Sequence, residues 1–133
     1  MLNTIRQEIT ALVATPFAAA YPGIPLVTDN APFDWNAPPP FFVTLEVKFY
    51  SGNQISMSAN PKTRYKGYVY VTAYAKEGTG SAASLNALSW FATNLGYKRT
   101  TSVQIEAPEP SGMGSPNGWF TEESKFYFYA DET

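Results

Sequence analysis

Apolar residues recur at helical spacing at the start of the chain. Leu2, Ile5, Ile9, Leu12 and Val13 mark one face, while Arg6, Gln7, Glu8 and Thr10 occupy the other. The spacing predicts an amphipathic helix over 3–19, with Thr4 and Gln7 forming a capping box. Pro16 should kink or end this helix, and the "YPGIP" at 21–25 should break it. A short strand is expected at 24–28, and the proline-rich stretch 29–40 reads as a stiff surface connection. From Phe41 the period changes to two. Phe41, Val43, Leu45, Val47 and Phe49 alternate with Thr44, Glu46 and Lys48, which predicts a strand with one buried face. Residues 51–61 read as a turn, a short strand and another turn.

A second long strand is expected over 63–75, with Val69, Val71 and Ala73 on its apolar side. Leu85, Leu88, Phe91, Ala92 and Leu95 then give a helical stripe over 81–95, capped by Ser81 and stopped by Gly96. Strands at 101–106 and 124–130 close the pattern, separated by a loop at 107–118 whose length suggests function or disorder. The order is helix, three strands, helix, two strands. It predicts an α+β fold in which one mostly antiparallel sheet is flanked by two helices, as a single domain over 1–133.

Composition narrows the chemistry. Histidine and cysteine are both absent from the 133 residues. Without them there is no Ser-His-Asp triad, cysteine nucleophile, disulfide or thiolate metal site, and most zinc and iron sites are lost as well. The net charge of −2 supplies no long-range attraction for nucleic acid or acidic membranes. No apolar run approaches membrane-spanning length, and the amphipathic start does not read as a signal peptide. Charged residues reach only 15% against a usual ~25%, whereas aromatics reach 16%. Polar surface is therefore scarce, so either the core is unusually aromatic or partners cover aromatic surface.

One stretch invites a sharper reading. Gly78, Gly80 and Ala83 follow a strand and open a helix, as in a loose dinucleotide fingerprint. A phosphate loop needs Lys followed by Ser or Thr after its last glycine, and Ser81 and Ala82 stand there instead. No second parallel unit follows, so the segment is read as a turn with Ser81 as N-cap. Glu122 and Glu123, like Asp131 and Glu132, are adjacent and should point to opposite faces of a strand. Asp29 and Asp34 flank a proline-rich loop without ligand spacing. All six read as solvated charge, so no catalytic, cofactor-binding or metal-binding residue is assigned.

The tyrosines are the remaining signal. Lys62, Arg64 and Lys66 alternate onto one side of an extended chain, and Tyr68, Tyr70, Thr72 and Tyr74 continue that side if the register is unbroken. A bulge at Gly67 would shift it. Lys125, Tyr127 and Tyr129 repeat the pattern opposite Phe126 and Phe128. Such a face can pack under a helix, form a protein–protein surface, or stack sugars or bases. The shortage of charge favours a subunit interface for at least part of it.

The whole-chain order, with "DNAPF" at 29–33, Arg64 and Gly67 heading a strand that ends in "GTGSAA", and a leucine-bearing helix after it, resembles the tail-terminator-like proteins of long-tailed bacteriophages. The segments "WNAPPP" and "KFYFYA" depart from that pattern. The resemblance implies a non-enzymatic virion protein without cofactor, made in the bacterial cytoplasm and located at the head–tail junction of the phage tail. Its implied partners are further copies of itself in a ring, usually hexameric, the tail tube protein and the head-completion or stopper protein. It implies no membrane and no sequence-specific nucleic acid, although DNA can pass through the ring. A ring needs two different patches on each subunit. Candidates for subunit or tube contact are Lys62, Arg64, Lys66, Tyr68, Tyr70, Tyr127 and Tyr129, together with loop 107–118 and its Met113. The rival readings are a head–tail stopper or tail-completion protein and, more remotely, a carbohydrate-binding module using Trp35, Trp90 and Trp119.

Overall fold

The structure, a computed structural model, describes residues 1–28, 33–76, 82–114 and 119–131. Along the chain come α1 (Leu2–Ala20), β1 (Leu26–Val27), β2 (Phe41–Gln54), β3 (Thr63–Lys76), α2 (Ala82–Leu95), β4 (Val103–Gly114) and β5 (Trp119–Asp131). The strands form one sheet in the order β1-β2-β3-β5-β4. β1 is parallel to β2, and the other pairings are antiparallel. The α+β class and the element order expected from the pattern are the ones observed.

Both helices cover the same face of the sheet. Ile5, Ile9, Val13 and Phe17 of α1 and Ala87, Leu88, Phe91 and Leu95 of α2 share one core with the strands. The sheet contributes Val43, Leu45 and Val47 of β2, Val69, Val71 and Ala73 of β3, and Phe126, Phe128 and Ala130 of β5. The strand residues are the inward positions of a period of two. Burying a side chain of this kind contributes ~1.5–3 kcal/mol relative to leaving it exposed, which holds the layers together.

Several local expectations are corrected. Thr4 does not cap α1; the helix starts at Leu2, with Met1 at the N-cap position and no side-chain cap. Pro16 lies inside α1 without ending it. The turn beyond it is anchored by Phe17, whose ring stacks on Tyr21 and Phe91 and meets Trp90 edge-on. The stop after α2 uses Gly96 differently from a left-handed cap, since the positive φ of 60° belongs to Tyr97. Gly96 is required for space: a Cβ there would lie 2.5 Å from the Ala92 carbonyl oxygen and 3.3 Å from Pro108. Gly78, Gly80 and Ser81 lie outside the described residues.

The largest correction concerns 107–118. Residues up to Gly114 belong to β4, which pairs with β5 through two register shifts. Pro108 and Pro110 are compatible with this because β4 is an edge strand, where one side of the backbone has no ladder partner to lose. β2 also runs on through Gln54, past the apolar alternation, and pairs with β3 as far as Thr63. The register shift in this pair falls between Phe49 and Ser51 of β2, opposite Gly67. The pairing of β3 with β5 is continuous from Arg64 to Lys76. The alternation of β3 therefore survives intact.

Candidate interaction surface

An unbroken register fixes which side chains of β3 and β5 share a face. Tyr68 stands opposite Tyr127, Tyr70 opposite Lys125, Thr72 opposite Glu123, and Lys66 opposite Tyr129. On β2, Glu46 and Lys48 extend the rows of Tyr70 and Tyr68. This face is turned away from both helices, so packing under a helix is ruled out for Tyr68, Tyr70, Tyr127 and Tyr129. All four are half-buried among one another on an open sheet face.

Its centre is a cation held by aromatic rings. The Lys125 ammonium lies 4.8 Å from the ring centre of Tyr68, 5.1 Å from Tyr70 and 5.6 Å from Tyr127. Ring quadrupoles attract such a cation at these distances. Burial works to lower the Lys125 pKa, but the neighbouring Tyr127, Tyr70 and Tyr68 hydroxyls outweigh it and the net shift is upward. Tyr68 meets Tyr70 at 5.2 Å and Tyr127 at 6.1 Å, both edge-on, and Tyr50 reaches both Tyr68 and Tyr127 at 6.4 Å. Such edge-on geometry restrains the rings against one another.

Arg64 and Asp131 form the lower margin. The guanidinium donates to both carboxylate oxygens, from Nε at 2.6 Å and Nη2 at 3.0 Å, and lies 4.5 Å over the Tyr129 ring. The hydrogen bonds from Arg64 hold the Asp131 carboxyl below its ordinary 3.8. The stabilisation this supplies is present above the ordinary aspartate range and is lost as pH falls through the lowered value. Because the pair is more than a third exposed, solvent screening keeps the effect small. Asp131→Asn should therefore melt slightly below the parent near neutrality and converge with it in acid. Thermal scans from about pH 2 to about pH 7 check this, and a constant gap across the range would refute it.

At the other end, Phe42 is buried beneath a ring of aromatics. Tyr74 stacks on it at 4.7 Å, Phe33 lies at 4.9 Å, and Trp119 and Trp35 approach edge-on at 5.4 and 5.6 Å. Trp35 stays 58% exposed. Burial, then the nearby Glu46 carboxylate, raises the Tyr74 pKa, and a hydrogen bond with Thr44 works in the opposite sense. Between this cluster and Tyr68 lies a cleft of about 270 Å³ that includes Glu46, Tyr70, Thr72 and Glu123.

The structure thus brings Arg64, Lys66, Tyr68, Tyr70, Tyr127 and Tyr129 onto one face. Lys62 is separate, because β3 begins at Thr63 and Lys62 lies in the β2–β3 tip. Met113 belongs to β4, in a part whose side chains lie outside the described residues. Sequence reasoning missed Tyr50, which follows Phe49 at the bulge, and the Trp35–Phe42–Trp119 cluster, in which Trp119 is distant in the chain from the other two. Lys125 was visible in the alternation, but its three-ring setting depends on strand pairing. Trp90 is packed against Phe17, Tyr21 and Phe91 and takes no part in the open face. Among the described residues no group of three or more acidic, His or Cys side chains could hold a metal ion. Among them, too, no helix is long and apolar enough to cross a membrane.

No protein-family model matches the chain, and no curated protein matches it. A solved structure whose designation describes no activity superposes with a TM-score of 0.74 at 13% identity, covering 100% of this chain and 96% of the other. At that identity the likeness concerns the fold alone: the chain shares a whole-chain architecture with a protein of nearly the same extent.

Proposed function

We propose that this protein is a structural component of a phage tail, a terminator that assembles as a ring on the head-proximal end of the tail tube. The observation that carries the reading is the open tyrosine face. Its tyrosines are covered by neither helix, and aromatic enrichment of this kind characterises protein–protein contacts. Aromatic anchors restrained by their neighbours are the usual energetic centre of such contacts. The helix, three strands, helix, two strands order on which the resemblance rests is the order of the fold.

In this reading the tyrosine face is buried on assembly, and the tube end is the surface it meets. Tyr68→Glu combined with Tyr127→Glu should leave the monomer folded, because both rings are partly solvated. The pair should abolish co-sedimentation with assembled tail tubes. Circular dichroism and tube binding measured on the same preparation test it; undiminished binding by a folded variant would sink the assignment. The nearest rival is a stopper at the same joint. It predicts binding to the head-side completion proteins and none to bare tube ends.

A further inference from the structure

The β2–β3 hairpin carries its tip beyond the sheet. Gln54 pairs with Thr63, whereas β5 ends opposite Arg64, so residues 55–62 project past the last row that β5 shares. The projection is braced by its own polar groups. The Ile55 N–H donates to the Lys62 carbonyl at 2.8 Å, and the Lys62 N–H donates to Ser56 Oγ at 2.9 Å. The Ser58 hydroxyl donates to the Asn60 carbonyl at 2.9 Å. What this ordered tip offers is apolar: Met57 is 96% exposed, and Ile55 is exposed beside it. Single exposed apolar side chains are ordinary. Two on one braced projection acquire meaning when the same molecule carries an apolar recess elsewhere on its surface.

Such a recess lies between α2 and the β4 edge. It encloses about 490 Å³, within the ~300–1,000 Å³ typical of binding sites, and Leu85, Leu88, Ala92, Pro108 and Pro110 supply most of its wall. Glu122 stands at its margin. Tip and groove complement each other in charge as well as polarity, with Lys62 flanking the apolar tip and Glu122 flanking the apolar groove. Neither is in an ion pair among the described residues. They are also set apart on the molecule. The tip continues beyond the Asp131 end of β5, while Glu122 and Ser124 place the groove near its start. A chain therefore cannot fill its own groove.

We infer that Ile55 and Met57 of one copy seat in the α2–β4 groove of the next, with Lys62 beside Glu122, as the contact that joins neighbouring subunits. This rests on the ring reading above. The contact is head-to-tail, since two different patches meet, and repetition about an axis closes a ring or grows a filament according to the rotation. The tyrosine face is left free for the tube.

The absence of cysteine from the chain makes the contact directly testable. Met57→Cys and Leu85→Cys are both at exposed positions and can be mixed in equal amounts under mild oxidation. A disulfide forms only where Cα atoms come within roughly 4.4–6.8 Å. The mixture should give several-fold more linked dimer than Met57→Cys mixed with Tyr97→Cys, an exposed position outside both patches. The double variant carrying both cysteines should give a ladder ending in a closed species. Linkage no greater than the control overturns the tip–groove contact, and rings still formed by the parent protein would then show that the ring reading survives it. Preferential Met57–Met57 linkage overturns it too, because that contact would be symmetric. A ladder that never closes, with no particles on tube ends, keeps the contact and removes the ring.

Discussion

Gly67→Ala should be among the most damaging single substitutions in the domain, costing ~3 kcal/mol, the upper end of what overpacking usually costs. A Cβ built at Gly67 would collide with the Lys48 backbone carbonyl and come within 2.9 Å of the Phe128 ring. An exposed ring could swing aside, but Phe128 is a buried core residue. The carbonyl cannot give way without parting β2 from β3, and these strands pair along most of their length. Stability of small domains is typically ~5–15 kcal/mol, so a loss of this size removes a large share of it. Urea unfolding is the measurement: the midpoint should fall by ~1–3 M, given the slopes usual for small proteins. A change below roughly 1 kcal/mol, the scale on which Gly-to-Ala acts through the unfolded chain alone, would mean the strands shift freely there.

Phe17→Ala should cost ~3–5 kcal/mol, the range for removing a buried aromatic ring. Phe17 is 1% exposed and joins the two helices. Its ring lies 5.1 Å from Tyr21, 5.3 Å from Phe91 and 5.4 Å from Trp90. Removing it leaves a hole that three rigid neighbours cannot fill, and it frees the turn after Pro16 that the ring holds in helical form. Trp90 lies at the edge of that hole, so its fluorescence should report the loss of packing. A thermal melt, together with the emission of Trp90 isolated in a Trp35→Phe, Trp119→Phe background, checks both halves. Phe17→Leu should recover most of the difference, and equal losses from Leu and Ala would point to the aromatic contacts rather than the cavity. Phe17→Ala with Phe91→Ala should cost less than the sum of the two, because they line one space.

Much of this architecture was legible in the alternation itself. Val69, Val71 and Ala73 on β3, with Phe126 and Phe128 on β5, state their buried face through a period of two. Ile5, Ile9 and Val13 state theirs through the helical period. The tyrosine face was legible by the same token, as the complement of those positions. Which face the helices took was not, because aromatic and aliphatic faces are both apolar enough to bury; it was decided by the three-dimensional path of α1 and α2.

The elements that escaped did so for identifiable reasons. The continuation of β4 beyond Glu106 was hidden by Pro108 and Pro110, which forbid a central strand but not an edge. The extension of β2 through Ser51–Gln54 is polar because no helix covers it, so pairing with β3 leaves no hydrophobic trace. Tyr50 escaped because a one-residue bulge carries no signature of its own. The Trp35–Phe42–Trp119 cluster and the tip–groove pair unite residues that only tertiary structure brings into relation.

The place of β5 in the sheet has a consequence for how the chain must be made. Emerging last of the five strands, it inserts between β3 and β4, so the β1-β2-β3 part of the sheet and β4 are joined only through β5. Until β5 is made, β3 waits with an open edge and β4 has no ladder at all. The β4–β5 ladder is local, but the β3–β5 ladder spans all of α2 and β4, and pairings that distant in sequence form slowly. A ribosome that stalls within β5 would release a chain unable to close its sheet, and exposed edges are what chaperones and proteases engage. Closure of the sheet thus waits on the last strand made, and a chain cut short within β5 leaves part of both the β3 and β4 edges unpaired.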